Sequence, residues 1–82
     1  MPIAVSRRAH SVERALTQAE SAQAAQYARY ELTLAKLYLV KAREASSEAH
    51  YASALDLLRH AEHSAHRADA LARARMRAPE LP

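Results

Sequence analysis

Apolar residues recur along this chain at the three-and-four spacing of α-helices, and the pattern falls into three segments. The first segment has one narrow apolar stripe on an otherwise polar helix. Its members are Val5, Ala9, Val12, Leu16 and Ala19. A stripe this narrow predicts contact with one neighbouring surface, and Ser6 is the expected N-cap because its hydroxyl can accept a backbone N–H.

The middle segment is apolar over a much wider arc. Its main stripe consists of Tyr27, Tyr30, Leu34, Leu37, Tyr38 and Ala45. A second set, made of Leu32, Ala35, Leu39 and Ala42, extends the apolar surface to roughly 200° of the circumference. A helix that is apolar over more than half its surface usually packs on two sides, so we expect the middle helix to be the central one.

The last segment has an apolar face made largely of alanine. Its members are Tyr51, Ala54, Leu55, Leu58, Ala61, Ala65, Ala68 and Ala72. We expect Leu34 and Leu58 at the contact between the middle and last helices. Between Ile3 and Ala78 the sequence has neither proline nor glycine, and good helix formers predominate, so the whole pattern predicts an all-α fold.

The turns must be made without glycine, because the chain has none. Residues 46–50 predict the second turn, since serine side chains compete with the helix for backbone hydrogen bonds, whereas residues 24–28 have no such chemistry. The favoured architecture is a three-helix bundle in one domain, residues 1–82, with helices near residues 6–25, 29–46 and 50–77. The alternative is a long two-helix hairpin in which the first two helices form one continuous rod.

Three stretches resemble a bacterial family of unknown function. They are residues 25–35 (AQYARYELTLA), 38–45 (YLVKAREA) and 50–55 (HYASAL). That family occurs in short cell-envelope lipoproteins and ahead of OmpA-like peptidoglycan-binding domains, and the resemblance covers about residues 10–70. Arg29 stands where the family often has a proline, which would open a helix there. The resemblance therefore implies three helices and a lipid-anchored protein on the periplasmic side of the envelope.

A second likeness concerns the helical hairpin alone. Residues 34–65 are similar to a tetratricopeptide (TPR) hairpin. The residues that match its second helix are Tyr51, Ala54, Leu55, Leu58 and Ala61. A solenoid of this kind needs about three repeats, so we interpret the likeness as shared antiparallel hairpin packing.

The start of the chain bears on localisation. Residues 1–3 lack the charged start and apolar run of a signal peptide. If the lipoprotein resemblance holds, we expect that the leader and the lipid-bearing cysteine have been removed and that Met1 has been added. The alternative is a native start at Met1 and a cytoplasmic protein.

Composition excludes several classes of function. Twenty-one of the 82 residues are alanine, and glycine and cysteine are absent, so neither a P-loop nor a dinucleotide fingerprint nor a thiolate zinc site can be built. The carboxylates have helical partners instead of forming an acid–base pair, as in Asp56 with Arg59, Arg59 with Glu62 and Asp69 with Arg73. We therefore predict no enzyme activity and no cofactor.

The histidines are the only candidates for metal ligands. His60, His63 and His66 are three residues apart, so neighbouring members lie about 60° apart on a helix and can share a metal ion. Solvated side chains are the preferred interpretation, and no metal is predicted.

A partner-binding surface is expected on the C-terminal half of the last helix, which outruns the middle helix by roughly 12 Å. Its members are Ala61, Ala65, Ala68, Leu71, Ala72 and Met76, rimmed by Arg67, Arg73 and Arg75. This strip predicts self-association or a protein partner. The net charge of +3 makes anionic lipid or cell-wall polymer a further candidate, while the interleaving of acids and bases disfavours nucleic acid.

The lack of a catalytic arrangement predicts a non-catalytic protein-interaction or scaffolding module. The family resemblance implies that this module belongs to the bacterial cell envelope and is tethered by lipid in its native form. The alternative is a cytoplasmic helical adaptor or nucleic-acid-binding protein. The tyrosines are expected to pack in the core with their hydroxyls at its rim.

Overall fold

The computed structural model describes residues 2–78, and within this range the only regular secondary structure is helical. The elements are α1 (Ile3–Ser21), α2 (Ala24–Tyr27), α3 (Arg29–Ser47) and α4 (Tyr51–Arg77). The predicted all-α bundle is confirmed, with a one-turn helix added between the first two long helices. Because α1 ends at Ser21, the continuous rod of the two-helix alternative does not form.

The central helix is α4. The three-residue connection after α3 folds α4 back along it as a hairpin, and α1 packs on another side of α4 while touching α3 little. Ion pairs join Glu13 to Arg43 and Glu20 to Lys36, so α1 runs antiparallel to α3. The expectation that the middle helix is central is wrong. The apolar face of α4 is mostly alanine, and small side chains let two helices approach one helix closely.

The core contains few large side chains. Thirteen of its 19 buried apolar residues are alanine, and the other six are Val5, Val12, Leu16, Leu32, Leu39 and Leu58. Among residues 2–78, six large apolar residues are instead exposed, namely Ile3, Tyr30, Leu37, Val40, Tyr51 and Met76. This part of the chain therefore exposes as many large apolar side chains as it buries, so the informative question is whether the exposed ones cluster.

α3 buries a different face from the one that its larger residues predict. Its buried residues are Leu32, Ala35, Leu39, Ala42, Ala45 and Ser46. Leu34 is only half-buried, and Tyr30 is 72% exposed. A face in which leucine alternates with alanine can approach the alanine face of α4 more closely than a face of tyrosines and leucines. The expected core positions of Tyr30 and Tyr51 are wrong, whereas Tyr27 and Tyr38 pack half-buried against the core.

The turn between α3 and α4 consists of residues 48–50 and lies within the range 46–50 that the sequence predicts. The His50 N–H donates to the Ala45 carbonyl at 2.8 Å, and the Ala49 N–H donates to Ser46 at 3.0 Å, which is the hydrogen-bond pattern of a Schellman motif. Ala49 occupies the left-handed position with φ 62°, where glycine is usual. An alanine there costs about 1 kcal/mol of backbone strain.

The two ends of α1 differ from the simplest sequence expectations. α1 begins at Ile3, directly after Pro2 with φ −60°, and the Ser6 N–H donates to the Pro2 carbonyl. Ser6 is therefore inside the helix and is not its N-cap; that position is taken by Pro2, whose backbone is extended with ψ 146°. At the other end Gln23 has φ 63°, a left-handed turn that no residue type in this segment signals.

Candidate interaction surface

The surface expected on α4 is largely internal. Ala61, Ala65, Ala68 and Ala72 are all 0% exposed and belong to the hydrophobic core. The expectation that this strip is uncovered is wrong, because α1 and α2 also pack against α4. Leu71 is half-buried, and only Met76 of the apolar members is exposed.

Two of the three arginines at the rim of this strip bind within the chain. The Arg73 Nε donates to Asp69 Oδ1 at 2.9 Å, as expected from their spacing. The Arg75 guanidinium donates to the Tyr27 carbonyl at 2.6 Å and so satisfies a carbonyl at the C-terminal end of α2. Arg67 is exposed. The role of these arginines in partner binding stays a prediction.

The three histidines of α4 do not converge on one point. His60 stacks on Tyr38 of α3, with ring centroids 5.2 Å apart. His66 Nε2 lies 3.7 Å from Glu62, and His63 is exposed. Within residues 2–78 no three side chains of the metal-binding types come together, so the structure offers no chelating set at this place.

Glu62 forms the principal polar contact between α1 and α4. Its carboxylate accepts hydrogen bonds from Arg8 at 2.8 Å and from Ser11 at 2.9 Å. The Arg8 hydrogen bond is the main reason that the pKa of Glu62 lies below its ordinary value, and Ser11 adds to it against the opposing effect of partial burial. Sequence spacing assigned Glu62 to Arg59, but Arg59 lies instead 3.9 Å from Asp56.

A shallow groove lies beside this contact, between α1 and α4. Its volume is about 640 Å³, and it is lined by His10, Ser11, Glu13, Arg14, Ala15, Thr17, Gln18, Glu62 and His66. Both of its carboxylates are already held by arginines, Glu62 by Arg8 and Glu13 by Arg43. The groove is therefore a polar depression whose acidic groups stabilise the bundle.

The surface that stands out is the side of α3 that faces away from the core. Tyr30, Leu34, Leu37 and Val40 lie there, spaced four, three and three residues apart, and we call them the outer stripe of α3. At about 100° per residue the stripe is nearly opposite the buried face. Leu37 and Val40 are each 51% exposed. The sequence places apolar residues on both sides of α3, and this is the signal that could have identified the stripe.

Charged residues next to the outer stripe differ in whether they have partners. Lys36 and Arg43 reach back to glutamates of α1. Among the ion pairs of the described residues, none includes Glu31, Lys41 or Glu44. Unpaired charges of both signs therefore border an exposed apolar stripe, which is the usual arrangement of a binding surface with a polar rim.

Comparison with known proteins gives no relative for this chain: no family model, no curated protein and no solved structure matches it. In the part of the chain that the structure describes, no helix has both the length and the apolar character needed to cross a bilayer.

Proposed function

We propose that this chain is a non-catalytic protein-interaction or scaffolding module and that the outer stripe of α3 is its binding surface. The observation that supports the proposal is the clustering of large apolar side chains on that stripe. Three of the six exposed large apolar residues lie on it, next to the half-buried Leu34. Contiguous exposed apolar side chains mark interaction sites, whereas scattered ones are ordinary.

The size of the stripe sets the strength of the contact. Full burial of a leucine or valine contributes about 1.5–3 kcal/mol. Leu37 and Val40 begin about half exposed, whereas Leu34 is already partly covered. Covering all four would contribute on the order of 4 kcal/mol. Association costs at least about 4 kcal/mol, so the stripe supports a weak and reversible complex that polar contacts at its rim can strengthen.

The proposed location is the periplasmic side of the bacterial cell envelope, with a lipid tether in the native form. Its support is the resemblance of residues 10–70 to the envelope lipoprotein family. A weak surface suits a tethered protein, because confinement to one membrane raises the effective concentration of two partners.

Site-specific photo-crosslinking in the native host tests the interaction surface. A photoreactive phenylalanine analogue replaces Leu37 on the stripe in the full natural protein. The matched control places the same group at Ile3, which is also exposed but lies on α1. We expect a covalent adduct of higher mass at position 37 and none at position 3. Equal labelling at both positions, or none at position 37, would contradict the proposal.

Cell fractionation of the same strain tests the location. Recovery in the membrane fraction with incorporated lipid label is expected for an envelope lipoprotein. Recovery in the cytoplasmic fraction would favour the helical adaptor instead, and nuclease-sensitive migration would favour a nucleic-acid partner.

A further inference from the structure

The outer stripe of α3 is self-complementary, and this identifies the kind of partner that fits it. We infer that two copies of this chain pair antiparallel through α3, about a two-fold axis at Leu37. This inference rests on the proposed function, since it uses the same surface, and it adds the identity of the partner.

The spacing of the apolar positions supports a two-fold axis. Leu34 and Val40 lie three residues to either side of Leu37. In an antiparallel pair centred on Leu37, Leu34 therefore packs against the partner's Val40, and Leu37 packs against the partner's Leu37. Such an isologous contact uses the same surface patch of both copies. Leu34, Leu37 and Val40 of one copy then each pack against an apolar residue of the other.

The ends of the stripe favour the antiparallel direction. Seven residues from the axis, Tyr30 faces the partner's Glu44, and its phenol hydroxyl can donate to that carboxylate. Arg29, one residue further out, lies near the same carboxylate. A parallel pair would instead place Lys41 against the partner's Lys41 and Glu44 against the partner's Glu44, and like charges at an interface are unfavourable. None of the ion pairs within residues 2–78 includes Glu44, so its carboxylate is available to the interface.

The surface area that two α3 helices can bury against each other is typical of a weak dimer. α3 has 19 residues, which gives a length of about 28 Å. Residue 38 is its midpoint, so an axis at Leu37 overlaps nearly the whole helix. A contact limited to one helix from each copy buries on the order of 800 Å² in total, less than the roughly 1,200 Å² of stable complexes. We therefore expect a reversible dimer with a dissociation constant of hundreds of micromolar to about 1 mM.

The charges around the stripe favour a second copy over an anionic lipid surface. Two of the basic residues on α3, Lys36 and Arg43, are held by glutamates of α1. Glu44 continues the line of the stripe, seven residues after Leu37, where an anionic surface would repel it. A second chain can instead neutralise Glu44 with its own N-terminal end of α3.

Sedimentation equilibrium of the full chain, from about 5 to 500 µM, tests the dimer. The wild type is expected to show a reversible monomer–dimer equilibrium. Leu37→Glu places two carboxylates on the axis and should raise the dissociation constant at least about tenfold. Ile3→Glu introduces the same charge on α1 and should leave it unchanged. Circular dichroism of each variant verifies that the helices are retained, as expected at two exposed positions.

Single cysteines test the direction of pairing, because the chain has no cysteine of its own. Leu37→Cys lies on the axis and should form an intermolecular disulfide under mild oxidation. Tyr30→Cys alone should not, whereas a mixture of Tyr30→Cys and Glu44→Cys chains should give the mixed disulfide. Efficient self-crosslinking of Tyr30→Cys would overturn the antiparallel arrangement.

Three further outcomes would overturn the inference while separating it from the proposed function. A chain that is monomeric at every concentration, but whose position 37 crosslinks to another protein in cells, removes the dimer and retains the interaction module. A monomer without crosslinks removes both. A monomer that floats with vesicles of phosphatidylcholine and phosphatidylglycerol, and loses this property in Leu37→Glu, assigns the stripe to lipid.

Discussion

Glu62→Gln is the most informative single change for the stability of the bundle. The substitution keeps the size of the side chain but removes the charge that Arg8 pairs with across α1 and α4. Ser11 retains an acceptor for its hydroxyl, because the amide oxygen of glutamine replaces one carboxylate oxygen. The change therefore isolates the ion pair from the packing around it.

The expected cost follows from the burial of the pair. The Glu62 side chain is 19% exposed, and that of Arg8 is 43% exposed. Fully exposed pairs contribute about 0.2–1 kcal/mol, and hydrogen bonds to charged groups about 1.5–3 kcal/mol. A partly buried pair falls between them, so we expect a loss of about 1 kcal/mol. In a domain of this size that lowers the Tm by about 4–8 °C.

The cost depends on pH in a defined direction. The pKa of Glu62 is lower in the folded chain than its ordinary value of 4.5. A carboxyl of this kind stabilises the fold above its unfolded pKa and loses that contribution as pH falls through its folded pKa. The difference between wild type and Glu62→Gln should therefore be complete at pH 7, shrink below pH 4.5, and vanish once the carboxyl is protonated.

Thermal melts at neutral and acidic pH measure this difference. The control is Glu20→Gln, which breaks another pair between helices, with Lys36 at 3.3 Å, whose two side chains are about half exposed. That change should cost less than about 0.5 kcal/mol. Equal losses in the two variants, or a loss in Glu62→Gln that persists unchanged at low pH, would show that the Glu62–Arg8 ion pair does not stabilise the bundle in this way.

Three other changes probe the fold. Ala49→Gly should stabilise by up to about 1 kcal/mol in urea titrations, because glycine relieves the positive φ of the turn; a loss of stability would refute the turn geometry. Leu58→Ala should lower the free energy of unfolding by about 2–5 kcal/mol, because Leu58 is 1% exposed. Its control is Leu37→Ala, which should change stability by less than about 0.5 kcal/mol when measured at a concentration where the chain is monomeric. Ala65→Glu should unfold the domain, since Ala65 is buried, whereas the exposed Ala70→Glu should melt with the wild type.

The helices and the second turn could be predicted from sequence because their causes are local. The absence of proline and glycine between Ile3 and Ala78, together with regular apolar spacing, leaves helix as the only regular structure that fits. The serines at 46 and 47 also mark the end of α3. The left-handed turn at Gln23 has no local cause of this kind, so only the folded chain shows it.

The face that α3 buries could not be predicted, because the sequence makes both sides of this helix apolar. Periodicity gives the directions of the two stripes but does not say which one meets α4. That choice depends on the shape of the alanine face of α4. This face packs more closely against the side of α3 that carries Leu32 and Leu39. The expectation that the alanine strip of α4 is uncovered fails because periodicity does not show which helices pack on it, and the other helices bury these alanines.

The contact of Glu62 with Arg8 joins residues 54 positions apart. A single sequence offers Glu62 a nearer partner at helical spacing, Arg59, and gives no sign that α1 will lie beside this part of α4. Long-range polar pairs of this kind depend on how helices are placed, and they become visible only when the placement is known.

We propose that the outer stripe of α3 is the surface through which this chain meets its partner, a second copy of itself. Amide chemical shifts of the isotope-labelled chain, followed by NMR from about 20 µM to 1 mM, test it at every residue. Pairing through this stripe should give concentration-dependent shifts centred on Leu37 and extending from Tyr30 to Glu44, with the buried face of α4 unchanged. Shifts that cluster on α4 or α1 instead, or no shifts at all, would contradict it.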